Sequence, residues 1–363
     1  MKAKRSAYSR WLKRFFAILL ALLTLVTFFN IFVDGVGIFS LGSGLKYMTL
    51  SLLNGKMIAG RMSYDEREFQ RLVVEQYSAR RDMVVIGSSR TMVLRKRFIG
   101  GNPDFFNHSV SGAVLQDLFG IVGLYREKGI FPATVILGID PWMFNKNNGL
   151  GKSWRTLDSC YQEITAEIKN LRDGGTAQKN KTETISKESR FARYAQLINL
   201  DYTIQNLEFL RSGNKLRITD TVEIDDFVRE PDGSIHFPYG MRRMRMIKDG
   251  PSNAMPDIYF KDFKSLYGTG QFEGLVHYLN RQEVRVVFFL PPFHGAAYQS
   301  CFTNSKYGIV PEIETYIRDF AQQNGIAVIG SYNPALYGFK GEDFFDGTHA
   351  HETVMKKLFE GFR

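Results

Sequence analysis

Met83-Val84-Val85-Ile86-Gly87-Ser88-Ser89-Arg90 opens on four apolar residues, turns at a glycine and ends on two hydroxyls and a cation. A short apolar run stopped by a turn residue reads as a strand buried on both faces, as in parallel sheets. Working outward, runs near 104–107, 133–139, 283–290 and 326–329 have the same character. Leu115 to Lys128, Val310 to Asn324 and His351 to Phe362 carry helical spacing between or after them. Strands alternating with helical segments predict an α/β fold: a parallel sheet with helices on both faces, in three α/β/α layers. Ligands of such sheets bind beyond the carboxyl ends of the strands, which is where Ser89, Gly112 and Asp140 fall.

Far downstream, Phe345-Asp346-Gly347-Thr348-His349 places an acid three residues before an imidazole. A serine hydroxyl is a weak nucleophile at neutral pH and needs an imidazole to take its proton; the imidazole needs an acid to fix its tautomer. Ser89, His349 and Asp346 supply these three roles. Either motif alone has a plainer explanation, since serines after a strand commonly cap the next helix. The order along the chain favours chemistry: strand and serine, then a glycine loop, then a strand ending Gly-x-Asp, then Asp-x-x-His directly before a closing helix.

At these residues the chain resembles the SGNH (GDSL-like) hydrolase superfamily. There a strand runs into Gly-Asp-Ser with the serine as nucleophile; here the triplet is Gly87-Ser88-Ser89, so Ser89 matches the nucleophile and Ser88 replaces the acid. The second block is similar in Phe106-Asn107-His108-Ser109-Val110-Ser111-Gly112, where the resemblance implies that the Gly112 N–H joins an oxyanion hole. Asp346 and His349 meet the last block in full. The third block, Gly-x-Asn-Asp in the family, reads Gly138-Ile139-Asp140-Pro141-Trp142, with Asp140 where the oxyanion-binding asparagine would stand. A carboxylate donates no hydrogen bond, and a missing donor costs roughly 3 to 4 kcal/mol of transition-state stabilisation. Gly-x-Asp-Pro-aromatic is similar to a membrane-linked branch that acylates cell-envelope polymers, of the D-alanine transfer and polysaccharide O-acetylation type. Arg90, Asn107 and His294 complete the side chains assigned to oxyanion or substrate binding, His294 because Pro291-Pro292-Phe293-His294 ends another strand.

Phe15 to Val33 is apolar apart from two threonines and Asn30, close to the ~20 residues a helix needs to span a bilayer. Lys2, Lys4, Arg5, Arg10, Lys13 and Arg14 precede it without an acid, which predicts a cytoplasmic N-terminus and an extracytoplasmic remainder. No Ala-x-Ala-like site follows, so an uncleaved anchor is favoured over a signal peptide. The expected organisation is a basic tail (1–14), an anchor (15–33), a membrane-proximal segment (34–80) with a helix over Ser63 to Arg80, and the α/β domain (81–363). That domain is interrupted by an insertion at about 146–265. Six of the ten net positive charges sit in the tail, so the remaining +4 gives no ground for nucleic-acid binding.

The insertion holds the turn Pro231-Asp232-Gly233 and the cations Arg242, Arg243, Arg245 and Lys248, either a solvated face or a lid that meets an anionic group. Cys160 and Cys301 match no metal-ligand spacing; they could bridge in an oxidising compartment, though nothing in the sequence brings them together. His349, His351 and Glu352 form a His-x-His-Glu run without the further ligands that a closed zinc site needs. No phosphate loop or dinucleotide fingerprint occurs, and no cofactor is expected. The resemblance implies an extracytoplasmic serine acyl esterase or O-acyltransferase acting on a cell-envelope glycan or related acyl-carrying polymer, and it admits a membrane acyltransferase as partner. Two alternatives stay open: an inactive SGNH-like partner of such an acyltransferase, favoured by Asp140, and a membrane-associated lipase or lysophospholipase.

Overall fold

The computed structural model describes residues 2–33, 43–60, 64–148, 153–172, 196–212, 216–243 and 255–362. The expected N-cap Ser63, the cations Arg245 and Lys248 and most of the polar stretch from Arg172 to Ser189 lie outside these residues. Among them are nine strands: β1 (Met57–Gly60), β2 (Met83–Ile86), β3 (Phe105–Asn107), β4 (Thr134–Gly138), β5 (Arg217–Thr219), β6 (Phe227–Arg229), β7 (Ile235–His236), β8 (Arg285–Leu290) and β9 (Ala327–Gly330).

Five of them form a wholly parallel sheet in the order β3-β2-β4-β8-β9. Its chain path starts near the centre at β2, steps out to β3, returns across β2 to β4 and then continues through β8 to β9. The carboxyl ends of β2 and β4 are therefore neighbours, with Ile86 opposite Leu137. The central strands are buried along their whole length, which explains why they read as continuous apolar runs rather than alternating ones. Met83, Val85, Ile136, Val287 and Phe289 meet Val354 and Met355 of the closing helix Glu352–Leu358, and Phe359 just after it, in one core.

A second, antiparallel sheet of order β5-β1-β6-β7 was not foreseen. The segment expected to be membrane-proximal includes β1, which pairs with β5 and β6 of the insertion. The anticipated turn at Pro231-Asp232-Gly233 is present: it joins β6 to β7, Gly233 has φ +81°, and Glu230 and Ser234 pair across it. The helix expected over 63–80 runs only over Glu66–Glu75, after which Gln76 and Tyr77 close it with bonds to Val73 and Val74.

The chain divides into two compact units, the larger holding both sheets. The smaller contains the N-terminal helix Lys2–Val33 together with residues 196–212. Within that helix Arg10–Val33, 24 residues whose most apolar 18-residue window has a mean hydropathy of 2.6, is long and apolar enough to cross a membrane. Asn30 is the polar exception in it. Its amide donates to the Leu197 carbonyl and the Thr203 hydroxyl, both at 2.9 Å, and its carbonyl accepts from Asn206 at 3.1 Å, so no buried polar atom of this asparagine is left over.

Cys160 and Cys301 are buried and unbridged. Burial pushes both thiols up to about 12, so neither supplies thiolate at neutral pH. A thiol-reactive chromophore is expected to find no fast thiol in the native protein and two after urea denaturation without reductant. None after denaturation would mean a disulfide.

Candidate active site

The chain leaves β2 at Gly87 and turns back, with Thr91 N–H donating to the Ser88 carbonyl at 3.0 Å. The turn can be this tight because Gly87 lacks a side chain: a Cβ there would lie 2.6 Å from the Thr91 hydroxyl and 3.1 Å from the Cα of Gly138 on β4. Ser88 is buried, and its hydroxyl accepts from the Arg90 N–H at 3.2 Å. Ser89, next along, is half-buried and carries its hydroxyl out of the turn.

The loop with the other two groups is closed by a bridge between Phe344 and Ala350 and by Phe345 N–H bonding the His349 carbonyl at 3.1 Å. Asp346 Oδ1 accepts from the amides of Thr348 and His349, both at 2.7 Å, and from the Thr348 hydroxyl at 3.0 Å. Its other oxygen, Oδ2, takes His349 Nδ1 at 2.7 Å. A carboxylate only accepts, so the imidazole proton sits on Nδ1 and Nε2 is free to accept. Ser89 Oγ lies 2.9 Å from that Nε2, across a sequence separation of 260 residues. A hydroxyl, an imidazole and a carboxylate are thus joined in one relay with the geometry of a nucleophile, its base and the base's orienting acid.

Burial alone would raise the Asp346 carboxyl; the hydrogen bond and charge of His349 and the two amides outweigh it and hold the group at about 2. Its unfolded value lies near ~3.9. A depressed native value stabilises the fold above the unfolded value, and the contribution is lost as pH falls from about 4 towards 2. In urea titrations the excess stability of wild type over Asp346→Asn is therefore expected to shrink between pH 5 and pH 2. A relay that turns over an ester is also expected to lose about 10⁴-fold of its rate in Asp346→Asn, because the amide favours the wrong imidazole tautomer.

Arg90 and Asp140, both anticipated as substrate-binding groups, form a buried ion pair instead, with Arg90 Nη1 2.6 Å from Asp140 Oδ1. Arg90 also donates through Nε to the Thr348 carbonyl at 3.0 Å and through Nη2 to the Pro291 carbonyl, and its guanidinium lies 3.7 Å from the centre of the Phe293 ring. One side chain thus ties the Ser89 turn to the end of β4, the end of β8 and the histidine loop. Burial pushes the Asp140 carboxyl up and the Arg90 guanidinium down, and their mutual attraction opposes both shifts. Among the described residues no group hydrogen-bonds the buried Asp140 Oδ2.

The loop after β3 is held with equal care. Gly112 adopts φ +56°, a left-handed conformation that favours glycine. Ser111 beside it is fixed at both ends of its backbone: its N–H donates to Glu66 Oε2 at 2.6 Å and its carbonyl accepts from Arg67 Nη2 at 3.0 Å. Arg67 in turn forms a two-bond pair with Asp117 at 2.9 and 3.0 Å. Glu66 and Arg67 are buried, so the acidic first turn of their helix serves this loop rather than solvent. Among the described residues the amides of Ser89 and Gly112 donate to no protein group.

Asn107 and His294 are placed elsewhere. Asn107 is fully buried; its amide donates to the Thr91 and Leu94 carbonyls at 2.8 and 2.9 Å, and its carbonyl accepts from Ser109. It braces the Ser89 turn from below and presents nothing to a substrate. His294 is buried too, caps the helix Gly295–Thr303 by accepting from Ala296 at 3.1 Å, and donates its own N–H to the Gly347 carbonyl. Of the residues in the metal reading, His349 is bonded to Asp346, His351 meets the edge of Phe345 and Glu352 pairs with Arg95 at 2.8 Å.

The insertion adds groups that no motif announced. Phe237 lies against the His349 ring at 5.4 Å while Phe345 stacks nearly parallel to it at 5.9 Å. Arg242, from the basic cluster, spends its guanidinium on the carbonyls of Phe237 and Val222, which fixes the segment carrying that phenylalanine. One phenylalanine among several apolar residues of an insertion that carries no motif gives no sequence signal for such a role. No family model matches the chain, and no curated protein matches it.

Proposed function

We propose that the protein is a membrane-anchored serine acyl esterase or O-acyltransferase of SGNH type, with the three-layer arrangement of that fold, acting outside the cytoplasmic membrane on an acylated cell-envelope glycan or related polymer. The observation that carries this reading is the continuous relay from Ser89 through His349 to Asp346. In the mechanism, His349 Nε2 takes the Ser89 proton as Oγ attacks the acyl carbonyl. The amides of Ser89 and Gly112 receive the oxyanion, and His349 returns the proton to the leaving alcohol. An acceptor alcohol, or water, gives its proton to His349 and resolves the acyl-enzyme, restoring Ser89. Membrane anchoring rests on the apolar helix Arg10–Val33 and the basic residues before it, which would keep the N-terminus inside.

Asp140 favours a second reading, an SGNH-like partner of a membrane acyltransferase without turnover of its own, because the ion pair with Arg90 removes a side-chain oxyanion donor at the end of β4. Labelling of the detergent-solubilised full-length protein with a fluorophosphonate separates the two. An activated serine is labelled; a serine in a silent site is not. Polysaccharide acetyl esters against phospholipid micelles as substrates then distinguish glycan from lipid acyl chemistry.

A further inference from the structure

Tyr259 belongs to the short 3₁₀ segment Asp257–Phe260 of the insertion, far in sequence from every motif that defines the site. Its backbone is pinned: the carbonyl accepts from Asn145 Nδ2 at 2.9 Å and from Asn148 Nδ2 at 2.8 Å, and the N–H donates to Pro256 at 3.0 Å. Its ring stacks on Trp142, centroids 4.8 Å apart and planes 21° from parallel. Trp142 follows Asp140 by two residues, and its indole N–H donates to the Ala113 carbonyl at 3.1 Å. The tyrosine is therefore keyed at once to the turn after β4 and to the loop that carries Gly112.

The hydroxyl comes to rest against Gly112, where a Cβ would lie 3.1 Å from Tyr259 Oη. The absent side chain at Gly112 makes room for the phenol. A half-buried tyrosine usually finds a partner for its hydroxyl, yet this one has none among the described residues. Burial raises its pKa, and the charge of Asp140 raises it further, so the phenol stays protonated and remains a donor at any physiological pH.

We propose that Tyr259 is a third oxyanion donor, its O–H acting beside the Gly112 and Ser89 amides in place of the side-chain donor that Asp140 does not provide. The proposal rests on the serine acyl-transfer reading above. The donor comes from the insertion, so the oxyanion pocket is complete only when that segment is seated on Trp142. Preorganisation by the stack and the two asparagines matters because an oxyanion donor contributes most when it need not reorient during the reaction.

The test compares full-length wild type with Tyr259→Phe, which keeps the ring, the stack on Trp142 and the backbone contacts and removes only the hydroxyl. The probe is p-nitrophenyl acetate, with melting temperature as the control. Loss of one oxyanion donor is expected to lower kcat by about 10²- to 10³-fold with KM within about twofold, at unchanged melting temperature. A residue that only packs would leave kcat near wild type in the phenylalanine variant, and that outcome overturns the assignment while leaving the enzyme reading intact. If wild type shows no Ser89-dependent turnover and no fluorophosphonate labelling, the enzyme reading fails and this assignment falls with it.

Discussion

Replacing Ser89 by alanine in the full-length protein is expected to abolish fluorophosphonate labelling, and His349→Ala to slow it and any ester turnover by about 10⁵- to 10⁶-fold. The two effects should not add in the double variant, because the groups act as a unit: without the imidazole the hydroxyl stays a neutral alcohol, and without the hydroxyl the imidazole has no proton to take. The structure favours a large effect, since the relay is already closed, with 2.9 Å from Ser89 to His349 and 2.7 Å from His349 to Asp346. Phe237 and Phe345 pack against the imidazole and against each other, their own ring centres 4.9 Å apart, and this cluster limits its rotation. Labelling that persists in Ser89→Ala would place the nucleophile elsewhere. A folded wild type that does not label would favour the partner reading.

Breaking the Arg90–Asp140 pair from one side is the second large effect. Arg90→Met or Asp140→Leu leaves an uncompensated charge in a fully buried site, which costs about 3–5 kcal/mol. The double variant Arg90→Met/Asp140→Leu should recover part of this, since removing both charges removes the unpaired one. It should not recover all of it, because the Thr348 and Pro291 carbonyls lose their donor at about 1–3 kcal/mol for each acceptor left unsatisfied. Urea midpoints of the four proteins close this cycle, and a double variant no more stable than the single ones would contradict a coupled pair. Turnover supplies a separate readout. Arg90 holds the carbonyl beside His349, so the double variant should remain folded yet lose activity beyond what its stability explains.

Asp140 illustrates how one residue type can be read in two ways. As a stand-in for an oxyanion asparagine it is a defect, since a carboxylate repels the charge it should stabilise. As the counter-ion of Arg90 it is the residue that allows a guanidinium to sit beneath the site and to join four chain segments there. The two readings divide on where the carboxylate points, and that depends on a partner fifty positions away.

The sequence by itself determined the parallel sheet, because each central strand is buried on both faces and its apolar run is a local signal needing no knowledge of its neighbours. It also determined which three side chains could form the relay: Ser89 follows a strand and a glycine, and Asp346 and His349 lie within one loop, so short-range chemistry marks them. The tertiary structure alone decided the rest. β1 is four residues long and pairs with strands some 160 positions away, so its pattern is too short to carry a period and its partner is non-local. Glu66 and Arg67 look like a solvated helix start until the loop at Ser111 covers them. Phe237 and Tyr259 are ordinary aromatics in a polar insertion until folding sets one against His349 and the other against Gly112. A motif records which groups are available; which of them face the reacting atoms and which hold the frame is set by contacts between distant segments, and a linear pattern carries no trace of those.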